Sequence, residues 1–296
     1  MSLAGTGAVY DRGYRPYEGE RGLRGAATFA LYKASIRRAL GIRRSWRQKF
    51  APFVLLGVVT IPAIVNVGIG YVTRDRIDKL EIITYRDYVG VSSALLLFVA
   101  LVAPDVMCPD RRQRVLPLMF ARPLTGVDYV VAKTGAIFSI LFAFSFIPQV
   151  VLFLGNMLVS DSAADYFTGH LDVLWRVPIA VVLLALYYSV VGVAIASLTD
   201  RRIVAGAAVI GLFLITSISS SVIVDSVKDG QGSAGGLVNV LALPLYLRDL
   251  VFLGHVDPES PLVGVQRGGL YAVCIYIAVL LLGIAVLLRR YRWVER

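Results

Sequence analysis

Charge is what this sequence has least of. Asp, Glu, Lys and Arg make up 17% of its 296 residues, where a soluble globular chain carries roughly 25%. The few charges cluster between long apolar runs, and 57% of all residues are hydrophobic. Length alone would suggest one or two soluble domains; the apolar runs overrule that prior. Histidine and cysteine are as scarce, with two of each. His170 and His255 are far apart in loops, and Cys108 and Cys274 are expected at a helix end and inside a helix. That pattern excludes a disulfide framework and supplies no metal-ligand spacing. Absent too are H-E-x-x-H, G-x-S-x-G and the phosphate loop G-x-x-x-x-G-K-[ST], so the chain is not read as an enzyme and no catalytic residue is assigned. Residues 1–25 are polar and rich in Gly and Arg, with no apolar core or small-residue cleavage site, so no signal peptide is expected there.

What is present is a series of apolar runs at 50–72, 88–106, 132–158, 177–198, 204–224 and 268–288. Each suffices for a hydrocarbon core, which needs about 20 helical residues. The reading is an all-α integral membrane protein of six transmembrane helices. Residues 1–25 form a flexible tail, 26–49 an amphipathic interfacial helix, and 50–296 the transmembrane domain. Phe29, Tyr32, Ile36 and Leu40 share one face of the amphipathic segment, Lys33, Arg37 and Arg38 lie beside or opposite it, and Gly41 interrupts it.

Orientation follows the basic residues. With the N-terminus in the cytoplasm, 22 Lys and Arg fall on the cytoplasmic side and 8 on the other. Both termini are therefore expected inside. The formal charge of +10 then faces anionic lipid headgroups, and no nucleic-acid surface is expected.

Two connections exceed a simple loop. The cytoplasmic stretch 107–131 opens Cys108-Pro109-Asp110-Arg111-Arg112 and contains the half-apolar run 115–120. The external stretch 225–267 contains 237–254, apolar but interrupted by Pro244, Arg248 and Asp249. Two central charges at about +2.5 to +3.5 kcal/mol each discourage a crossing, so a re-entrant or interfacial hairpin is expected.

Polar residues within the runs are mild. Asp105, at a span end, is the one carboxylate candidate for membrane depth, and no buried charge is expected. Asn66, Gln149, Thr216, Ser217 and Ser220 are candidates for a cavity lining or a dimer seam. Ordinary helix–helix packing by small and hydroxylated residues is the competing reading.

The cytoplasmic stretch carries a resemblance. Ala103-Pro104-Asp105, then Arg111-Arg112-Gln113-Arg114-Val115-Leu116-Pro117-Leu118, then Ala121-Arg122-Pro123-Leu124-Thr125, and finally Tyr129-Val130-Val131-Ala132-Lys133 resemble the second-to-third-span loop of ABC-2 type permeases. Asp105 stands where that family more often has Glu. The resemblance covers roughly residue 26 to the C-terminus. It implies a bacterial plasma-membrane export permease working by alternating access on a lipophilic or amphiphilic substrate. It implies a separate ABC ATPase partner that holds the ATP and Mg, with no cofactor bound by this chain. It also implies a permease dimer, homo- or heteromeric, an N-terminal elbow helix, and a coupling helix at 109–120. Asp105, Asp110, Arg111, Arg112, Arg114, Leu116, Leu118 and Arg122 would be the coupling residues. The alternative is a membrane scaffold or assembly subunit that moves nothing.

Overall fold

The computed structural model describes residues 24–42, 46–73, 84–89, 92–120, 124–226 and 233–294, with side chains at all of these except 46–52, 92–93 and 293–294. Nearly all of the tail 1–25, and residues 121–123 with Arg122, lie outside the described residues.

Among the described residues every regular element is helical and there is no strand. Helix α1 (Arg24–Ala39) stops where Gly41 turns left-handed at φ 65°, a conformation glycine adopts without a Cβ clash. Residues 26–49 are therefore not one helix: Trp46 already opens α2 (Trp46–Thr73), which takes in Arg47 and Lys49. A single turn, α3 (Tyr85–Tyr88), precedes α4 (Ser92–Arg112). The short α5 (Leu116–Phe120) leads to α6 (Gly126–Val159), then α7 (Ala163–Gly169), α8 (Leu171–Ala196) and α9 (Arg202–Ser226). A 3-10 turn at Ala234–Val238, α10 (Leu243–Leu253) and α11 (Gly268–Val294) complete the order.

Five of these helices, α2, α6, α8, α9 and α11, are long and apolar enough to cross a membrane. The 34 residues of α6 rise about 51 Å, well past a hydrocarbon core of about 30 Å. Its start is fixed by a capping box. The Thr125 hydroxyl accepts from the Asp128 N–H, and the Asp128 carboxylate accepts from the Thr125 N–H at 2.9 Å.

The expected second span is α4, and it is not among those five. It runs six residues past its anticipated end at 106, so its last eight residues contain Asp105, Asp110, Arg111 and Arg112. The helix carries on through Pro104 and Pro109 and stops at Arg114, which takes a left-handed φ of 52°. There the Val115 N–H donates to Asp110 O and the Arg114 N–H to Arg111 O, both at 3.1 Å. That pair of bonds is a Schellman stop built on arginine instead of the usual glycine.

The centre of the bundle is α8. In its apolar window 67% of residues are buried, against 17% in α2 and in α9, so α8 is the pillar and those two present wide apolar faces outward. Close approach explains part of this. A Cβ on Gly192 would lie 2.3 Å from Val99 Cγ1 of α4, and one on Gly206 of α9 would lie 2.9 Å from the Ala100 carbonyl oxygen. Small residues at such points let helix backbones touch where the hydrophobic effect gives no drive for association.

Candidate functional site

The two ends of α4 define the two polar centres of the molecule. At its C-terminal end the Asp110 side chain is fully buried. It receives the Lys133 ammonium of α6 at 2.6 Å, an ion pair from Arg38 of α1, and a hydrogen bond from the Tyr129 hydroxyl at 3.0 Å. Lys133 also donates to the Val106 carbonyl at 3.1 Å and is 2% exposed. Tyr129 and Lys133 are one turn apart on the same face of α6. The Tyr129 ring packs on Tyr291 of α11 with centroids 4.8 Å apart. Three helices, α1, α4 and α6, thus meet on one carboxylate, and α11 packs on the group through Tyr129.

This cluster corrects the expectation of no buried charge. Burial of Asp110 follows from the longer α4, which carries position 110 into the bundle instead of leaving it in a loop. The segment 109–120 is correspondingly divided. Residues 109–112 are the last turn of α4, and only Leu116–Phe120 stands as a separate short helix. Arg112 and Arg114 are exposed, Leu116 is buried, and Leu118 is 72% exposed. Asp105 is part-buried and pairs with Arg202 of α9 at 2.8 Å, while Arg111 donates to the Ser197 carbonyl at the end of α8. Cys108 lies buried with its sulfur 3.7 Å from the Thr199 carbonyl, and Cys274 is exposed on α11; both are free thiols.

At the other end of α4, the Val89 carbonyl accepts from Arg248 of α10 at 2.8 Å. Arg248 also pairs with its neighbour Asp249 at 2.7 Å, and Arg86 reaches Asp257 at 3.0 Å. Burial pushes the Asp249 carboxyl above its usual range, and Arg248 only partly offsets it. Burial acts the same way on Asp87, but there hydrogen bonds from Thr84 and Arg86 win and the carboxyl falls below its usual range.

Between these ends the connection from α9 to α11 enters the bundle. Ser220 of α9 donates to the Gly235 carbonyl at 3.0 Å, and the Asn239 amide donates to Ser217 at 3.4 Å. Tyr187 and Tyr188, more than half-way along α8, donate at 2.9 Å to the Val240 and Leu241 carbonyls. The eleven-residue α10 then leads back to Arg86 and Val89, ending on Gly254 at φ 75°. At about 16 Å it is too short to cross a core.

The seam candidates are dispersed. Asn66 and Gln149 are buried on α2 and α6, and the Oδ1 of the first and the Oε1 of the second have no hydrogen-bond partner. Thr216 bonds within its own helix, to the Leu212 carbonyl at 2.9 Å. Ser217 and Ser220 hold the 233–239 segment, which is a packing role. The tyrosine pair on α8 carries no positional signal in the sequence beyond being polar in an apolar run. His170 stacks on Tyr166 with centroids 4.1 Å apart, and no group of three or more His, Cys, Asp or Glu able to hold a metal occurs among the described residues.

Fold and site together define a helical protein with five bilayer-length apolar helices, the signature of a multi-pass membrane protein. No protein-family model, curated protein or solved structure matches the chain.

Proposed function

We propose that this chain is the permease subunit of an ATP-driven ABC exporter of the ABC-2 type. In this reading α4 is a sixth span, both termini are cytoplasmic, and the membrane is the bacterial plasma membrane. Helix α1 is the elbow, α5 the coupling element, and the 233–254 segment a re-entrant hairpin on the external side. The cargo is lipophilic or amphiphilic, a lipid, drug or peptide. ATP and Mg are handled by a partner ATPase, and two permease chains flank the pathway.

One observation carries the proposal. The short α5 exposes Leu118 between two long helices that a buried ion pair, Asp110 with Lys133, locks together. Leu118 stands on a short helix outside the bilayer-length helices, where an exposed apolar side chain suits a docking contact with a partner surface. A push on α5 would pass to α4 and α6 with little slack, because separating them would strand a buried charge at a cost of about 3–5 kcal/mol. The loop sequence and the 22-to-8 basic asymmetry support the same orientation.

The test is to express the chain with the ATPase encoded beside it and purify the pair in detergent. Leu118→Asp should leave folding and insertion intact, since Leu118 is a surface residue, yet lower substrate-stimulated ATP hydrolysis at least about tenfold. Leu116 is unsuited to that test because it is buried. Normal coupling in Leu118→Asp sinks the proposal. The rival scaffold reading gains if no gene for a phosphate-loop ATPase accompanies this one.

A further inference from the structure

The C-terminal turn of α11 encloses, with the ends of α4 and α8, a recess of about 500 Å³. Arg111, Arg289 and Arg290 supply its polar lining, and Leu198, Val286 and Tyr291 supply apolar walls. Arg111 donates to the Ser197 carbonyl, and Arg290 donates to the Leu198 carbonyl at 3.4 Å. Both guanidinium groups are therefore seated on the carbonyl-rich end of α8, where the helix dipole favours cations, and each keeps further N–H groups free. Among the described residues none of the three arginines has an ion-pair partner. The two carboxylates of α4 are already engaged, Asp110 by Arg38 and Lys133, and Asp105 by Arg202.

Three cations gathered in one recess repel each other and call for an anion. The walls narrow the choice. Leu198 is 56% exposed, and Val286 lies on the same helix as the exposed Leu281, Leu282 and Ile284, so an apolar surface leads away from the arginines along α11. A ligand with a phosphoryl group at one end and hydrocarbon at the other matches both halves. Guanidinium groups grip phosphate oxygens through paired N–H donors, and basic pockets at the ends of transmembrane helices are suited to acidic lipid headgroups.

We infer that this recess is a binding site for the headgroup of an anionic phospholipid, with the acyl chains lying along α11. The inference requires only that the helices span a membrane, and it holds whether or not the chain is a permease. The lipid would join the ends of α4, α8 and α11, a corner of the bundle next to the Asp110 cluster.

The whole chain, purified in neutral detergent at about 0.15 M salt, would be titrated with phosphatidylglycerol and with phosphatidylcholine, and bound lipid counted by native mass spectrometry. The expected preference for phosphatidylglycerol is at least about tenfold. Each arginine is worth about fivefold, so Arg289→Gln with Arg290→Gln should abolish the preference. The matching lysine pair should retain most of it, which separates lost charge from lost folding. Arg267→Gln, at the opposite end of α11, should change nothing. Equal binding of the two lipids, or an undiminished preference in the double glutamine variant, would overturn the inference. Displacement of phosphatidylglycerol by an equal concentration of inorganic phosphate would also overturn it, making a soluble phosphoryl compound the occupant.

Discussion

The two ends of α4 solve the problem of buried charge in different ways. At the Asp110 end one carboxylate is shared by Lys133 and Arg38, which are 23 and 72 residues away in sequence and lie on separate helices. At the Arg248 end the principal pair is between sequence neighbours, Arg248 and Asp249, with Arg86 and Asp257 added around it. The first arrangement ties long helices to each other. The second neutralises a short element locally, and its charged groups reach the bundle through the Val89 carbonyl, beside the hydrogen bonds from Tyr187 and Tyr188 to the Val240 and Leu241 carbonyls. Long-range pairing makes the first centre a structural keystone, and local pairing makes the second a latch.

The sharpest way to break this contrast is Asp110→Asn. Removing the shared carboxylate leaves Lys133 and Arg38 facing each other without compensation, and losing one partner of a buried pair costs about 3–5 kcal/mol. Thermal unfolding in detergent should show a larger drop than any single substitution at the latch produces. If the variant melts with the wild-type protein, α1, α4 and α6 are held by apolar packing alone and the keystone role is wrong.

A smaller effect is expected at the latch. Tyr188→Phe removes the donor to the Leu241 carbonyl, and a buried acceptor left without a partner costs about 1–3 kcal/mol. Because α10 is a separate short element, the loss should be local. Hydrogen exchange should quicken in 240–253 and stay unchanged in α4 and α6. Acceleration spread evenly over both regions would mean that latch and keystone unfold as one unit.

The smallest effect concerns pH. Because the Asp249 carboxyl lies above its usual range, the folded protein binds that proton more tightly than the unfolded chain. The contribution of Asp249 to stability therefore improves as pH falls through its raised pKa towards the ordinary carboxylate range, about 4. Asp87 is shifted the other way, so its contribution is lost as pH falls through its lowered pKa. Melting curves of wild type and Asp249→Asn from neutral pH to about pH 4 should show the wild type gaining on the variant. A wild type that loses ground over that interval would mean that Arg248 outweighs burial.

The same contrast explains what the sequence discloses. The five bilayer-length helices are legible because each contains a long apolar run. The latch is half legible: Pro244, Arg248 and Asp249 argue against a crossing, and α10 is indeed too short to make one. Its grip on Tyr187 and Tyr188 is not, since a tyrosine in an apolar run does not announce which carbonyl it will meet. The keystone is hidden at Asp110, which reads as loop because Pro109 precedes it and two arginines follow. Pro109 does not end the helix, and the partners of Asp110 come from elements that no local pattern connects. The turn at Ala163–Gly169 escapes for a similar reason: its Ser162 cap binds the Asp165 N–H, but seven residues give no period to detect.

The Asp110 cluster also bears on how the chain is made. Helix α4 emerges from the ribosome with two carboxylates and two arginines in its final turns, a poor substrate for the translocon by its own composition. Arg38 has already been synthesised by then, but Lys133 is still 23 residues from the peptidyl-transferase centre when Asp110 is added. The Asp110 centre can therefore close only after the first turns of α6 have been made, and until then the carboxylate lacks its ammonium partner. The centre is thus assembled from three separately synthesised elements, and it registers that α1, α4 and α6 have come together, not that any one of them has formed.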